Sequence, residues 1–193
     1  ITSLNLFPNE FNLDLISDTL ITIQMQESSI IYSDLFDDSD NWESYNGDWY
    51  ISNSQLSSQT TLTYNDYVDK ILLSEQEFNI LQNGRIALDV FWKYELEWDL
   101  DSIYIGFISD LDTVIAIKNS QYWDSHSEII SFSNLNAGNY KIIFGFGTDE
   151  SVGYRGLQVN ELNVMIPLFS SLGDVNQDGS IDLLDILLVV DII

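Results

Sequence analysis

A chain of 193 residues with 45% hydrophobic side chains can bury one substantial core, and no uninterrupted apolar run is long enough to cross a membrane as a helix. Thirty-one acidic residues against six basic ones give a net charge of −25, a field that repels nucleic acid and anionic membrane surfaces and attracts cations. With no cysteine and a single histidine, His126, the composition excludes disulfides, thiolate chemistry and a multi-histidine metal site within one chain.

The chain starts at Ile1 with no basic stretch or apolar leader, and it stops at Ile193 inside an apolar stretch. These ends lead to the expectation of a processed piece of a longer precursor. Residues 1–33 alternate weakly. Leu4 and Leu6, then Phe11, Leu13 and Leu15, then Leu20, Ile21, Ile23 and Met25 predict two or three strands. This segment is expected to be an extended N-terminal arm, either an Ig-like remnant or a strand donated to a neighbour.

From residue 34 the pattern becomes that of a dense β-protein. The run 34–40 reads as an acidic loop or strand start. Trp49 and Ile51 follow Asn46-Gly47, a turn signal of the kind that joins hairpin strands. Residues 71–78 predict a strand. Ile86, Leu88, Val90, Trp92 and Tyr94 occupy every second position, as a half-buried strand requires. Ile103, Ile105 and Phe107 continue the pattern, then residues 114–117, a short strand at Ile129 and Ile130, then Tyr140, Ile142, Phe144 and Phe146, and finally Leu162, Val164 and Ile166. Glycine and asparagine clusters separate the runs at sandwich spacing. The expected architecture is an all-β jelly-roll sandwich over residues 34–167, followed by a calcium-binding segment at 168–193.

That last segment carries the most specific spacing in the chain. Asp174, Asn176, Asp178, Asp182 and Asp185 place side-chain oxygens at positions 1, 3, 5, 9 and 12 of a twelve-residue loop. Gly179 stands at position 6, where the chain turns sharply, and Ser180 at position 7 offers its carbonyl. Ca2+ takes six to eight hard oxygen ligands, and this spacing wraps them around one point. Residues 181–193 predict a helix that is apolar nearly all round and therefore needs cover.

The string from Gly173 to Asp182 resembles the first calcium loop of a type I dockerin, over about 20 residues. Dockerins carry two such loops and this chain has one, so the resemblance implies calcium binding more than it implies a cohesin partner. A lone hand needs a complement, either another copy of the chain or the remainder of a precursor. Residues 34–166 loosely resemble MAM-like jelly-roll modules of secreted bacterial metalloproteases. The resemblance rests on residues 91–109, on 156–164 and on the stretch from Asp34 to Trp49. It implies a non-catalytic module with structural calcium, for which Asp34, Asp37, Asp38 and Glu161 are the candidate second site.

No nucleophile elbow, phosphate loop or distinct carboxylate pair stands out. His126, in Trp123-Asp-Ser-His-Ser-Glu128, reads as a surface-loop histidine. Trp42, Trp98 and Trp123 fall near predicted loops and are the candidate sugar contacts, whereas Trp49 and Trp92 fit the inner faces of strands. The first expectation is a non-catalytic, secreted or cell-surface calcium-binding module with a role in assembly. The alternative is a carbohydrate-binding or substrate-targeting accessory module of a secreted hydrolase, with polysaccharide as partner. An enzyme in its own right ranks last.

Overall fold

The computed structural model describes residues 6–7, 26–80, 84–119, 121–150 and 153–167. The strands, in chain order, are β1 (Leu6–Phe7), β2 (Gln26–Asp34), β3 (Trp42–Asn46), β4 (Tyr50–Ile51), β5 (Leu56–Ser57), β6 (Asp69–Ile80), β7 (Gly84–Glu95), β8 (Ser102–Ile108), β9 (Thr113–Lys118), β10 (Gln121–Leu135), β11 (Gly138–Gly147) and β12 (Gly156–Pro167). All pairings between them are antiparallel, and they make two sheets. The fold is an all-β jelly-roll sandwich.

The five-stranded sheet runs β3-β6-β11-β8-β9. In the seven-stranded sheet β12 is central. β7 lies along one of its edges with β10 beyond, while β2 and β5 share the other edge and lead to β1 and β4. Every second residue of β7, β8, β11 and β12 points between the sheets. Ile86, Leu88, Val90 and Trp92 meet Ile103, Ile105, Phe107, Ile142, Phe144 and Phe146 in one continuous core. Burying each such side chain contributes about 1.5–3 kcal/mol, which is what the period-two pattern achieves.

Three expectations are corrected by this architecture. First, the boundary at residue 33 does not hold: β2 runs to Asp34 and is hydrogen-bonded along β12 from Leu162 to Pro167, so it is a strand of the sandwich. Second, Asn46-Gly47 does not close a hairpin. Gly47 does take a left-handed φ of 71°, but β3 and β4 belong to different sheets, so the turn is a corner between them. A Cβ at Gly47 would lie 2.6 Å from Lys70 Cγ, so close approach as well as φ calls for glycine. Third, the short strand expected at Ile129 and Ile130 is part of the fifteen-residue β10, which places His126 in a strand rather than a loop. The calcium loop at 174–185 and the helix at 181–193 lie outside the described residues.

β10 escaped the hydrophobic pattern because of what its first half does. His126 pairs with Trp92 and Glu128 with Val90, so both occupy positions in register with inward residues. Glu128 forms an ion pair with Lys118 at the end of β9, joining the free edges of the two sheets. His126 lies 3.9 Å from Glu128 and near the rings of Trp92 and Tyr94. Charged and aromatic groups close the sandwich here, where aliphatic ones do elsewhere.

Candidate functional site

One end of the sandwich carries a cavity of about 370 Å³. Its walls come from the corner at Gly47 and Asp48, from Tyr50 on β4, from the long β5–β6 connection and from Asp69 and Lys70 at the start of β6. Tyr50, Tyr64 and Tyr67 supply aromatic surface, and Asp48, Gln59, Thr60, Thr61, Asn65 and Asp69 supply polar atoms.

The β5–β6 connection has no strand of its own, yet it is pinned at many points. Tyr64 N donates to Tyr154 O at 2.9 Å, Tyr67 N to Asp149 O at 2.8 Å, and Thr148 N to Val68 O at 2.8 Å. The Thr148 hydroxyl donates to Asn65 O and accepts from Val68 N. Tyr64 donates its hydroxyl to Asp101, a carboxylate that is 2% exposed and also accepts from the backbone of Glu97 and Asp149. Burial first, and the Asp101 hydrogen bond second, hold the Tyr64 phenol well above its ordinary pKa, so it remains a donor.

Lys70 braces the corner. Its ammonium donates to Asp48 O at 2.7 Å and Ser58 O at 2.6 Å and lies 5.7 Å from the Tyr50 ring centre. Burial lowers its pKa and Asp48 opposes that shift. Gln59 Nε2 donates to three carbonyls, Thr61 O, Tyr154 O and Arg155 O. Only the nitrogen can face three carbonyls, its two hydrogens shared among them, so the orientation is fixed and Oε1 is left buried without a donor. Asp48 and Asp69 also line the cavity.

Tyr67 is the most unusual member. Its backbone is left-handed, at φ 53°, while its ring is 72% exposed. The hydroxyl donates to Glu150. The outer face of the five-stranded sheet carries two apolar rows. Leu73, Ile143 and Ile115 lie in one row across β6, β11 and β9. In the adjoining row Tyr104 lays its ring over Gly145, in the space a side chain there would fill.

The residues singled out from the sequence are distributed differently. Trp42 is 7% exposed, stacks on Phe36 and donates its indole N–H to Asp34, so it is a core residue and not a sugar contact. Trp98 does stand in water, 66% exposed, in the β7–β8 turn, but it does not line the cavity. Trp123 lies in β10, and its side chain is outside the described residues. Trp92 is fully buried on β7, as expected, whereas Trp49 packs on the core from the corner between β3 and β4 and not from a strand.

The candidate second calcium site does not assemble. Among the described residues no group of three or more acidic or histidine side chains is placed to hold a metal. Asp34 accepts from Tyr32 Oη, Phe36 N, Asn41 Nδ2 and Trp42 Nε1, which uses both oxygens inside the protein. Asp37 accepts from Ser54, and Asp38 caps the short 3-10 turn at Ser39–Asn41. Glu161 accepts from Asn163 on β12.

The cavity tyrosines were not anticipated. Their one signal in the sequence is the density of tyrosine in 45–67, with Tyr45, Tyr50, Tyr64 and Tyr67 among polar residues.

No protein-family model matches the chain, and no curated protein matches it. Three solved structures to which it is similar are the Emp47p carbohydrate recognition domain (10% identity, 73% of this chain and 97% of that one, TM-score 0.46), the second N-terminal cellulose-binding domain of Cellulomonas fimi β-1,4-glucanase C (10%, 77% and 99%, 0.44) and a carbohydrate-binding module of Cellvibrio mixtus lichenase 5A in complex with cellotriose (11%, 70% and 97%, 0.38). Likeness at this level is common among β-sandwiches and says nothing of this chain's ligand. No helix among the described residues is long and apolar enough to cross a membrane.

Proposed function

We propose that the protein is a non-catalytic carbohydrate-binding module of a secreted or cell-surface protein, with the glycan held in the tyrosine-walled cavity between residues 47 and 70. Tyr67 supports this reading most. A bulky residue in the left-handed region costs about 1–3 kcal/mol, and such strain gathers at ligand clamps. An exposed ring returns no burial energy to offset it, so the fold gains little from placing Tyr67 where it is. A ligand that stacks on the ring supplies the missing term. Sugar rings offer apolar C–H faces to aromatic walls and hydroxyls to the surrounding polar groups, which is the mixture this cavity presents.

Affinity electrophoresis against a panel of soluble polysaccharides tests the reading. At least one should retard the protein, and Tyr67→Ala or Tyr50→Ala should each weaken that retardation about tenfold, the loss of one aromatic stacking partner. Tyr67→Gly should leave the melting temperature unchanged or raise it, because it removes the Cβ that makes the left-handed backbone costly, which alanine would retain. Retardation that ignores both alanine substitutions would place the ligand elsewhere, and none across the panel would count against a glycan.

A second reading concerns residues 174–185, on the spacing of their oxygens alone. We propose that this loop binds one Ca2+ and that its missing pair is supplied by another copy or by the remainder of a longer chain. Titration calorimetry should find one calcium per chain, abolished by Asp174→Ala or Asp178→Ala. Size exclusion with and without chelator then separates a calcium-dependent assembly from a calcium-indifferent monomer, and the monomer would refute the assembly role.

A further inference from the structure

A strand at the edge of a sheet offers a row of unpaired N–H and C=O groups to any chain that can pair with it, and proteins blunt such edges with short strands, bulges or charges. Among the described residues the two sheets end on β1, β4, β10, β3 and β9. β1 and β4 are two residues long. β3 is broken by a register shift between Ser44 and Asn46 and carries Glu43. β10 is shifted twice against β7 and places His126 and Glu128 at inward positions. β2 and β6 outrun β1 and β3, and they carry a register shift at residues 30–32 and the charges of Glu75 and Glu77 respectively.

β9 has none of these devices along its length. Its six residues pair with β8 in unbroken register, from Thr113 with Ile108 to Lys118 with Ile103. Thr113, Val114, Ile115 and Ile117 are β-branched, the side chains that favour strands, and no glycine or proline interrupts them. The one charge, Lys118, is the last residue and is taken by Glu128 of β10. Val114 and Ala116 pack on the core, while Ile115 and Ile117 turn outward, 42% and 62% exposed. Beside them β8 holds no charged residue at all. In a chain of −25 this is a strip where two copies can approach with little repulsion.

The ends of the strand decide the partner and the direction. Asp112 precedes β9 and Lys118 closes it. Two copies paired antiparallel, with Ile115 of each on the two-fold axis, set Asp112 of each opposite Lys118 of the other. A parallel pairing would set Asp112 beside Asp112. The edge is complementary to itself in one direction only, which is the condition for a closed two-fold dimer.

We propose that β9 pairs antiparallel with β9 of a second copy, joining two five-stranded sheets into one of ten strands. The new bonds are backbone N–H to C=O, along a junction of about 20 Å at ~3.4 Å per residue. On the outer face, Ile115 and Ile117 of the two copies become cross-strand neighbours and cover one another. So short a junction belongs to the weak class of interfaces, with Kd of about 10–1000 μM. It uses neither the tyrosine-walled cavity nor the loop at 174–185.

Sedimentation equilibrium of the full chain, at up to about 1 mM and with chelator present, is the first test. A monomer–dimer equilibrium is expected. It should tighten as salt rises, because screening relieves the repulsion between two chains of −25 more than it weakens two Asp112–Lys118 pairs. Ile117→Lys, at an exposed outward position, should abolish the dimer and leave the circular dichroism and melting temperature unchanged. The chain has no cysteine, so a single introduced thiol reports the register. With diamide as oxidant, Ile115→Cys should form a disulfide-linked dimer far faster than Tyr45→Cys, on the opposite edge of the same sheet. A monomer at 1 mM overturns the proposal and leaves the edge to a strand of another protein. A dimer that survives Ile117→Lys overturns it too, as does one that forms only when calcium is restored, which would belong to the 174–185 loop. Equal cross-linking of the two cysteine variants would mark chance collision and overturn the antiparallel junction.

Discussion

Asp34→Ala should lower the unfolding free energy by about 3–5 kcal/mol, with or without calcium present. Asp34 is 4% exposed, and among the described residues no lysine, arginine or histidine forms an ion pair with it. Four donors converge on it instead: Phe36 N at 2.6 Å, Tyr32 Oη at 2.8 Å, Trp42 Nε1 at 2.9 Å and Asn41 Nδ2 at 3.3 Å. Truncation removes the acceptor and leaves two buried donors, Phe36 N and Trp42 Nε1, facing an apolar wall, at roughly 1–3 kcal/mol for each. The Trp42 ring, stacked on Phe36 and tilted against Phe144, loses the bond that fixes it. Denaturant melts read the effect as a shift in midpoint at constant slope. A calcium role for Asp34 predicts a different pattern, in which chelator destabilises the parent and does nothing further to the variant. That pattern would overturn the assignment, and Asp34→Asn refines it. The amide keeps one acceptor oxygen and turns a donor toward other donors, so its loss should fall between the parent and Asp34→Ala.

The same residue marks where sequence reading stops. Asp34 belongs to an acidic run, and acid beside acid reads as solvated loop. What decides its role is a strand register: β2 pairs with β12 so that Leu162 faces Asp34 and Val164 faces Tyr32. That pairing joins residues about 130 apart, and no local pattern encodes it. Trp42 was misplaced for the same reason, since its indole is buried by reaching back to Asp34. By contrast β7, β8, β11 and β12 were legible because each buries one face, and burial of one face writes itself as alternation. The alternation fails in the first half of β10, where the inward positions hold His126 and Glu128 and an ion pair to Lys118 closes the edge. Turn chemistry at Asn46-Gly47 gave the right backbone and the wrong connection, because φ at Gly47 says nothing about which sheet the next strand joins.

The cavity was hidden for a further reason. Its wall is a connection without periodicity, held by Gln59 to residues 154 and 155 and by Tyr67 to Asp149. Tryptophan is the aromatic that draws attention in a search for sugar contacts, yet here the tryptophans with described surroundings, apart from Trp98, are taken up by the core. The smaller, hydroxyl-bearing tyrosines are left to face the space at the end of the sandwich. They can do so because their hydroxyls find carboxylates, Asp101 for Tyr64 and Glu150 for Tyr67.

Asp101→Ala should therefore cost both stability and binding, and binding more. Asp101 joins three segments: Tyr64 from the cavity wall, the backbone of Glu97 in the β7–β8 turn, and the backbone of Asp149, whose carbonyl in turn anchors Tyr67. Removing a nearly buried carboxylate with three hydrogen bonds is expected to lower the unfolding free energy by about 2–4 kcal/mol. Tyr64→Phe deletes one of those bonds and should cost about 1–2 kcal/mol. The double variant should cost less than the sum, because the shared bond is lost only once. For binding, Asp101→Ala acts at a distance: it removes one tie on Asp149, whose carbonyl holds Tyr67 N, and the ring is held less firmly in the left-handed conformation. Retardation by the best polysaccharide of the panel should then fall by about tenfold or more, at a temperature where circular dichroism shows the variant still folded. Tyr64→Phe should bind nearly as well as the parent, since its ring remains in the wall. If Asp101→Ala melts early but binds normally when folded, the carboxylate is a structural tie alone, and the placing of Tyr67 does not depend on it.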